Sequence, residues 1–491
     1  MLTIDYSVLS ILAYFLLLIG IGLYAMKHST SNNSEYLLGG RQVGPKVTAL
    51  SAGASDMSGW MLLGLPGAAY SAGVDSMWLA FGLVMGAYVN YQVVAPKLRV
   101  YTELANDSLT IPEFLSRRFL KDKSSIRLIA SLIIIVFFTV YTASGLVAGG
   151  KLFASAFGAD YAFGVLATVS IVVLYTIMGG FLAVSLTDFV QGVIMLIALV
   201  AVPIVAYQGL PVLETGLLSQ FTQINYRLDW LVAVSLMTWG LGYFGQPHII
   251  VRFMAIKSHT QLPSARRIGI NWMTISIIGA ISTGLVGALY VKANGAVLDD
   301  PETIFIHLSQ VLFHPLIAGW LLAAILAAVM STISSQLLVS SSSLVEDVLK
   351  VYAPNSLSSR TSLLMSRACV LAVAAFATAI ALSGNSGVLK LVSSAWAGFG
   401  ATFGPVILFS LWWKPMTEQG ALAGIVTGAV AVVLWGYAPV LEDGAPLGTV
   451  FYELLPAFVL SALAIVGVSG LTRSPCLETK ALFERTAEVA G

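Results

Sequence analysis

Apolar stretches about twenty residues long recur from one end of this chain to the other, and they restrict the medium in which it can fold. A helix of that length crosses the hydrocarbon core of a bilayer, and in lipid its backbone amides must be satisfied within the helix. The length of 491 residues would otherwise suggest roughly three soluble domains. A hydrophobic content of 57% against 10% charged residues overrules that reading. The first run, "VLSILAYFLLLIGIGLYAM", follows Asp5 and precedes Lys27. It lacks a basic leader and a small-residue cleavage site, so it is expected to be a retained helix.

The runs place spans at 8–26, 46–70, 77–96, 128–149, 161–178, 187–208, 230–250, 268–291, 313–340, 363–383, 388–412, 421–438 and 450–471. Thirteen is odd, so the termini are expected on opposite sides of the membrane. With the N-terminus outside, 21 Lys and Arg fall in inside segments. The outside segments hold 4, namely Lys151, Arg227, Lys292 and Lys390, which completes the 25 of the chain. That asymmetry follows the positive-inside rule. The net charge of +1 implies no nucleic-acid partner, and two cysteines, Cys369 and Cys476, give no disulfide or metal framework. The five histidines show no metal-ligand spacing, and neither a phosphate-binding glycine loop nor a nucleophile elbow appears, so an enzyme is not expected.

Two spans are interrupted. The second contains "SAGASDMSGWMLLGLPG", with Gly53, Gly59, Gly64, Pro66 and Gly67; the seventh contains "WGLGYFGQPH", with Gly240, Gly242, Gly245 and Pro247. Glycine and proline release backbone groups from the helix ladder. Inside a membrane, irregular backbone persists only where protein or a wet cavity surrounds it, and paired interruptions mark transporter binding sites. The two breaks lie five spans apart, so spans 2–6 and 7–11 are candidate repeats of opposite orientation. The expected units are 1–44 with the first helix, 45–208 and 229–412 as the repeats, and 413–491 with the last two helices and a short tail.

Asp56 lies within the first break. An ionised carboxylate at membrane depth is costly, so it pairs with a cation, faces water or is protonated; the plainer reading is a cap on a half-helix. On span nine, Ala324, Ala328, Ser331, Thr332 and Ser335 share one helical face. Such hydroxyls either bond back to their own helix or, with carbonyls freed near Ala54 and Met57, offer the oxygen ligands a hard cation takes. Tyr141 in span four, and Trp239 and Tyr243 across the second break, are candidate walls for a small organic ligand, or ordinary packing.

At "LGGRQVGPKVTALSAGASDMSGWMLLGLPGA", "WGLGYFGQPHIIVRFMA" and "AILAAVMSTISSQLL", the chain closely resembles the solute:sodium symporter family, and its proline branch more than its sugar, pantothenate or iodide branches. "VYTASGLVAGGKLF", "MGGFLAVSLTD", "SAWAGFGATFGPV" and "GALAG" extend the likeness over nearly the whole chain. The resemblance implies an all-α membrane protein with a LeuT-type five-plus-five inverted repeat. It implies sodium-coupled import of L-proline across a bacterial inner membrane, with sodium as coupling ion and no cofactor; it specifies no oligomeric state. Carried over position by position, it implies a sodium site from Ala54, Met57, Ala328, Ser331 and Thr332, with Asp56 beside it. Ser58 and Gly59 would adjoin substrate and ion. Tyr141, Trp239, Tyr243 and Pro247 would line the pocket, and Arg41 and Asp188 would serve coupling. Asp188 also reads as a first-turn acid favoured by the helix dipole. Transport of another small solute, or proline sensing without flux, are the competing readings.

Overall fold

The computed structural model describes residues 6–28, 37–178, 180–210, 229–352, 359–384 and 387–490. Asp5, Gly179 of the "MGGFLAVSLTD" turn and Arg227 lie outside the described residues. The described chain is helical, and its only bridges outside helices are the isolated pairs Val43–Ile256 and Pro439–Pro446.

In chain order the helices used below are α1 (Tyr6–His28), α2 (Pro45–Asp56), α3 (Leu65–Ala72), α4 (Ser76–Val93), α5 (Ala95–Leu104), α6 (Ile111–Arg117), α7 (Ser125–Phe157), α8 (Tyr161–Met178), α9 (Phe181–Gln208), α10 (Trp230–Met237), α11 (Pro247–Ala255), α12 (Leu262–Ala293), α13 (Ile304–Leu312), α14 (Pro315–Ser342), α15 (Ser359–Leu382), α16 (Val388–Trp412), α17 (Glu418–Tyr437), α18 (Leu454–Leu471) and α19 (Leu477–Ala490). Ten described segments are long and apolar enough to cross a bilayer, which makes this a multi-pass membrane protein. Tyr161–Leu174 and Trp230–Gly245 are shorter apolar helices.

Local chemistry sets the helix ends. Prolines open α2, α11 and α14 at positions where the missing amide costs nothing. The Ser124 hydroxyl caps α7 by accepting from Arg127 N, and α7 ends on left-handed Gly158 at φ 61°. Thr110 caps α6: Glu113 N donates to the Thr110 hydroxyl, and the Glu113 carboxylate reaches back to accept from Leu109 N, the residue before the cap.

α14 is the axis of the bundle. Its apolar window is 83% buried, against 22% for α1 and 28% for both α15 and α18. It packs on α1, α7, α9 and α15, and also meets α2. α2 lies among α9, α11, α12 and α14, while α16 packs on the stretch between α10 and α11. The peripheral helices turn Leu16, Ile197, Phe376 and Leu463 outward, where lipid replaces water as their solvent.

Both predicted interruptions are present. α2 stops at Asp56; Met57 leaves the helix at φ −81°, ψ 75°, and its amide makes the last bond, to Gly53 O at 2.8 Å. The chain restarts as a π-helical turn, Trp60–Gly64, that leads into α3. A Cβ at Gly59 would come within 2.5 Å of the Ala148 Cβ, so the glycine admits α7 against the break. In the second interruption, α10 gives way to a 3-10 helix, Thr238–Gly245, then to extended Gln246, and Pro247 opens α11. A side chain at Gly242 would overlap the Trp396 indole, whose Nε1 donates to Trp239 O at 2.7 Å.

Candidate functional site

The break in α2 faces α14. The Ser331 hydroxyl donates to Ala54 O at 2.7 Å and reaches its own Ala328 O at 3.1 Å; Thr332 reaches Ala54 O at 3.4 Å. Back-bonding and cross-helix bonding therefore coexist, and the cross-helix bond is the shorter. Both hydroxyl residues and Ala54, Met57 and Ala328 are buried. Two carbonyls and two hydroxyls thus converge between α2 and α14, a donor set suited to a hard monovalent cation once the hydroxyl protons turn away.

Asp56 lies two residues past Ala54, and only 2% of it is exposed. It closes α2 instead of opening a helix, and its carboxylate takes no backbone amide among the described residues, so the capping reading does not describe its geometry. Its Oδ2 accepts from the Tyr243 hydroxyl at 2.5 Å, across the second break, while Oδ1 has no partner. The Asp56 carbonyl accepts from Trp60 Nε1 at 3.0 Å, from the Tyr141 hydroxyl at 3.2 Å and from Ser58 N at 2.9 Å. The Ser58 hydroxyl stands 3.5 Å from Trp60 N. Asp56 thereby joins α2, α7 and the 3-10 segment after α10 at one point.

The aromatic candidates separate. Tyr243 stands edge-on to Trp396 at 5.0 Å, and a small cavity beside Asp56 is lined by Tyr243. Trp239 stacks on Tyr452 at 5.1 Å. Pro247 lines a different cavity, together with Arg252 and Phe181. Neither cavity brings all four candidate pocket residues together.

Asp188 does not sit at the start of its span. α9 begins at Phe181, six residues before the expected 187, so Asp188 lies about two turns in and its first turn holds no acid. The dipole reading of Asp188 is corrected accordingly. Its Oδ2 instead accepts from the Ser51 hydroxyl at 2.7 Å and from Arg252 Nη2 at 3.2 Å; Oδ1 is unpartnered. Arg252 also donates to the Ser51 hydroxyl at 3.2 Å, the Ser335 hydroxyl at 2.6 Å and His248 O. Sequence reasoning counted Arg252 only as a charge in a loop segment. The available signal was its place in "HIIVRFMA", a cation inside an apolar run.

Arg41 holds one mouth of the bundle. Gly39, Gly40 and Arg41 all carry positive φ, at 58°, 60° and 53°, which two glycines accept freely and an arginine does not. That turn directs Arg41 Nε to Asp107 Oδ1 at 2.7 Å, Nη1 to Met254 O at 2.7 Å and Thr102 Oγ1 at 3.2 Å, and Nη2 to Ser108 O at 2.8 Å. Burial pulls the Arg41 pKa below the usual guanidinium value, and Asp107 opposes that.

Comparison with known proteins agrees with this architecture. The sequence profile of the sodium:solute symporter family matches residues 36–428. Sodium/proline symporters of Staphylococcus aureus, among them those of strains JH9 and NCTC 8325, are 54% identical over 476 residues, covering 95% of this chain and 92% of theirs. The fold resembles that of a substrate-bound, outward-open Na+-coupled sialic acid symporter, with TM-score 0.80 and 19% identity over 96% of this chain and 99% of that one. It also resembles MHP1, a nucleobase-cation-symport-1 family transporter in a closed conformation, with TM-score 0.55 and 14% identity over 93% and 99%.

Proposed function

The chain belongs to the sodium:solute symporter family, and from that premise we propose that it imports L-proline together with sodium by alternating access. It is a transporter and not an enzyme. The observation that carries the mechanism is the convergence of Ala54 O with the Ser331 and Thr332 hydroxyls at the broken end of α2. Sodium at these oxygens, with Ala328 and Met57 carbonyls, ties α2 to α14. Asp56 then transmits occupancy through Tyr243 to the second break. The linkage is reciprocal: if sodium tightens proline, proline tightens sodium by the same factor. On this reading the membrane is the bacterial inner membrane. Thirteen spans cross it from an outside N-terminus, and 45–208 and 229–412 form a LeuT-type inverted repeat. Arg41 then lies on the cytoplasmic face.

The test is uptake of radiolabelled L-proline into proteoliposomes with and without an inward sodium gradient. Uptake should follow the sodium gradient, and a pH gradient should not replace it. Ser331→Ala with Thr332→Ala should weaken sodium activation by about one to two decades, the 1.5–3 kcal/mol typical of a hydrogen bond to a charged group. Normal sodium activation in that double variant, at normal membrane abundance, would end this assignment.

A further inference from the structure

The cavity beside Asp56 contains polar atoms that the sodium site does not use. It lies among α2, α4, the second break, α11 and α12, with about 20 Å³ of room. That is enough for one water-sized group. Asp56 Oδ1, Asn90 Oδ1 and the Tyr91 hydroxyl belong to residues lining it, and none of the three atoms has a hydrogen-bond partner. Asp56, Asn90 and Tyr91 are 2%, 1% and 6% exposed. Leaving three such oxygens unpaired is expensive, each costing about 1–3 kcal/mol in an apolar setting. Apart from Tyr243, whose hydroxyl is already given to Asp56 Oδ2, the rest of the lining is apolar or glycine, including Ala52, Ala87 and Gly269. A Cβ at Gly269 would lie 3.1 Å from the Tyr91 hydroxyl oxygen, so that glycine keeps the hydroxyl accessible.

We propose that Asn90 and Tyr91, with the free oxygen of Asp56, receive the ammonium group of the transported solute. This rests on the reading of the protein as an L-proline importer. The donor set selects the ligand. A sodium ion needs a shell of oxygens, and Ala, Gly, Ile, Phe and Met walls cannot complete one. An anion would meet the Asp56 carboxylate. A secondary ammonium presents two N–H donors flanked by carbon, which three acceptor oxygens set in a largely apolar wall can share. The cavity accommodates the ammonium head; the ring requires α4 and α12 to move back from α2. Asn90 and Tyr91 therefore set the preference for a cationic nitrogen bearing two hydrogens. The Ser331 and Thr332 hydroxyls lie on α14, which contributes nothing to this cavity.

The experiment uses full-length protein in proteoliposomes, wild type beside Asn90→Leu, Asn90→Asp and Tyr91→Phe. L-proline uptake is measured against proline concentration, and sodium activation is measured at saturating proline. Asn90→Leu should raise the half-saturating proline concentration about tenfold or more, the loss expected for a hydrogen bond to a charged group. Tyr91→Phe should raise it several-fold. Asn90→Asp, which keeps an acceptor, should stay closer to wild type than Asn90→Leu. Sodium activation should be unchanged in all three. N-methyl-L-proline, with one N–H fewer, should compete poorly in wild type and lose less ground in Asn90→Leu. Wild-type proline dependence in both Asn90→Leu and Tyr91→Phe would overturn the inference, as would a shift confined to sodium activation. If Asn90→Leu does not reach the membrane, Tyr91→Phe and Asn90→Asp decide the matter by the same criteria. Wild-type protein that carries no L-proline would instead refute the importer reading itself.

Discussion

The two mouths of the bundle are closed by the same physics with opposite sign. At the Arg41 mouth, cations meet the carboxyl end of a helix. Arg41 donates to Met254 O, and Arg99 donates to Ile256 O at 2.7 Å and Lys257 O at 3.3 Å, all at the end of α11. At the opposite mouth an anion meets an amino end. Glu302 accepts from Val388 N and Leu389 N, both at 3.0 Å, where α16 begins, and from Lys151 Nζ at 2.7 Å. Each arrangement complements the partial charge of a helix terminus. The Arg41 mouth has more bonds: Val43 N donates to Ala255 O and Lys257 N to Val43 O, adding backbone pairing to the guanidinium contacts. At the Glu302 mouth two carboxylates, Glu302 and Asp300, share Lys151, and Gln310 Nε2 donates to Ala156 O at 2.8 Å, with no comparable backbone pairing between segments among the described residues. Its closure should therefore open more readily, which suits the side from which ion and solute arrive on the proposed topology.

Breaking the stronger closure should have the larger effect. Arg41→Ala strands Met254 O, Ser108 O and Asp107, and proline uptake should fall by about one to two decades at normal abundance, from 1.5–3 kcal/mol of charged hydrogen bonding. Arg41→Lys keeps the charge but cannot reproduce the fork, so it should recover only part of the rate. Uptake near wild type in Arg41→Ala would mean that the backbone pairing of Val43 suffices.

Glu302→Gln probes the weaker closure. The amide keeps the size but loses the charge that favours the α16 terminus, about 1 kcal/mol and roughly fivefold in the opening equilibrium. A cysteine placed at Gly387 in an otherwise cysteine-free protein should react several-fold faster with a membrane-impermeant maleimide when Glu302→Gln is added. Equal rates would show that α16 is held there by packing alone.

The smallest effect concerns Glu453, which precedes α18 at the same mouth as Glu302. Burial pushes its carboxyl up from 4.5 to about 7. The folded protein thus keeps a proton that the unfolded chain releases near 4.5, so this residue costs stability progressively as pH rises from about 4.5 through about 7. Glu453→Gln should raise the melting temperature at pH 8 and leave it nearly unchanged at pH 4. A variant less stable than wild type at pH 8 would refute this.

Both breaks were legible because glycine and proline act locally, and Asp56 stood out because charge is rare in apolar runs. That Ser331 and Thr332 share a face could be read from spacing; that this face meets Ala54 was one of two readings, and the resemblance rather than the spacing favoured it. Pairings across the bundle were not legible. Tyr243 meets Asp56 across 187 residues and Arg252 meets Asp188 across 64, and no periodicity specifies which helices will touch. Asp188 was misjudged because the paired glycines and the Ser and Thr of "GGFLAVSLTD" read as a turn, although the helix already begins at Phe181 and its first turns are buried by packing. Trp239 and Tyr243 are i and i+4 in sequence, but the segment between them is a 3-10 helix, which turns the two rings to different neighbours, Tyr452 and Trp396.

The depth of α14 bears on how the protein is made. This helix packs on α1, α2, α7 and α9, and its hydroxyls meet Ala54 of α2 and Arg252 of α11, all of which are translated before it. Only α15, among its main neighbours, follows. Chains fold progressively from the N-terminus during synthesis, so the receptacle for the most buried helix is already in the bilayer when that helix leaves the ribosome. Ser331, Thr332 and Ser335 then pass into protein without a long residence in lipid. The order of the genes' codons thus doubles as an assembly schedule, with the central element delivered only after its socket has been built.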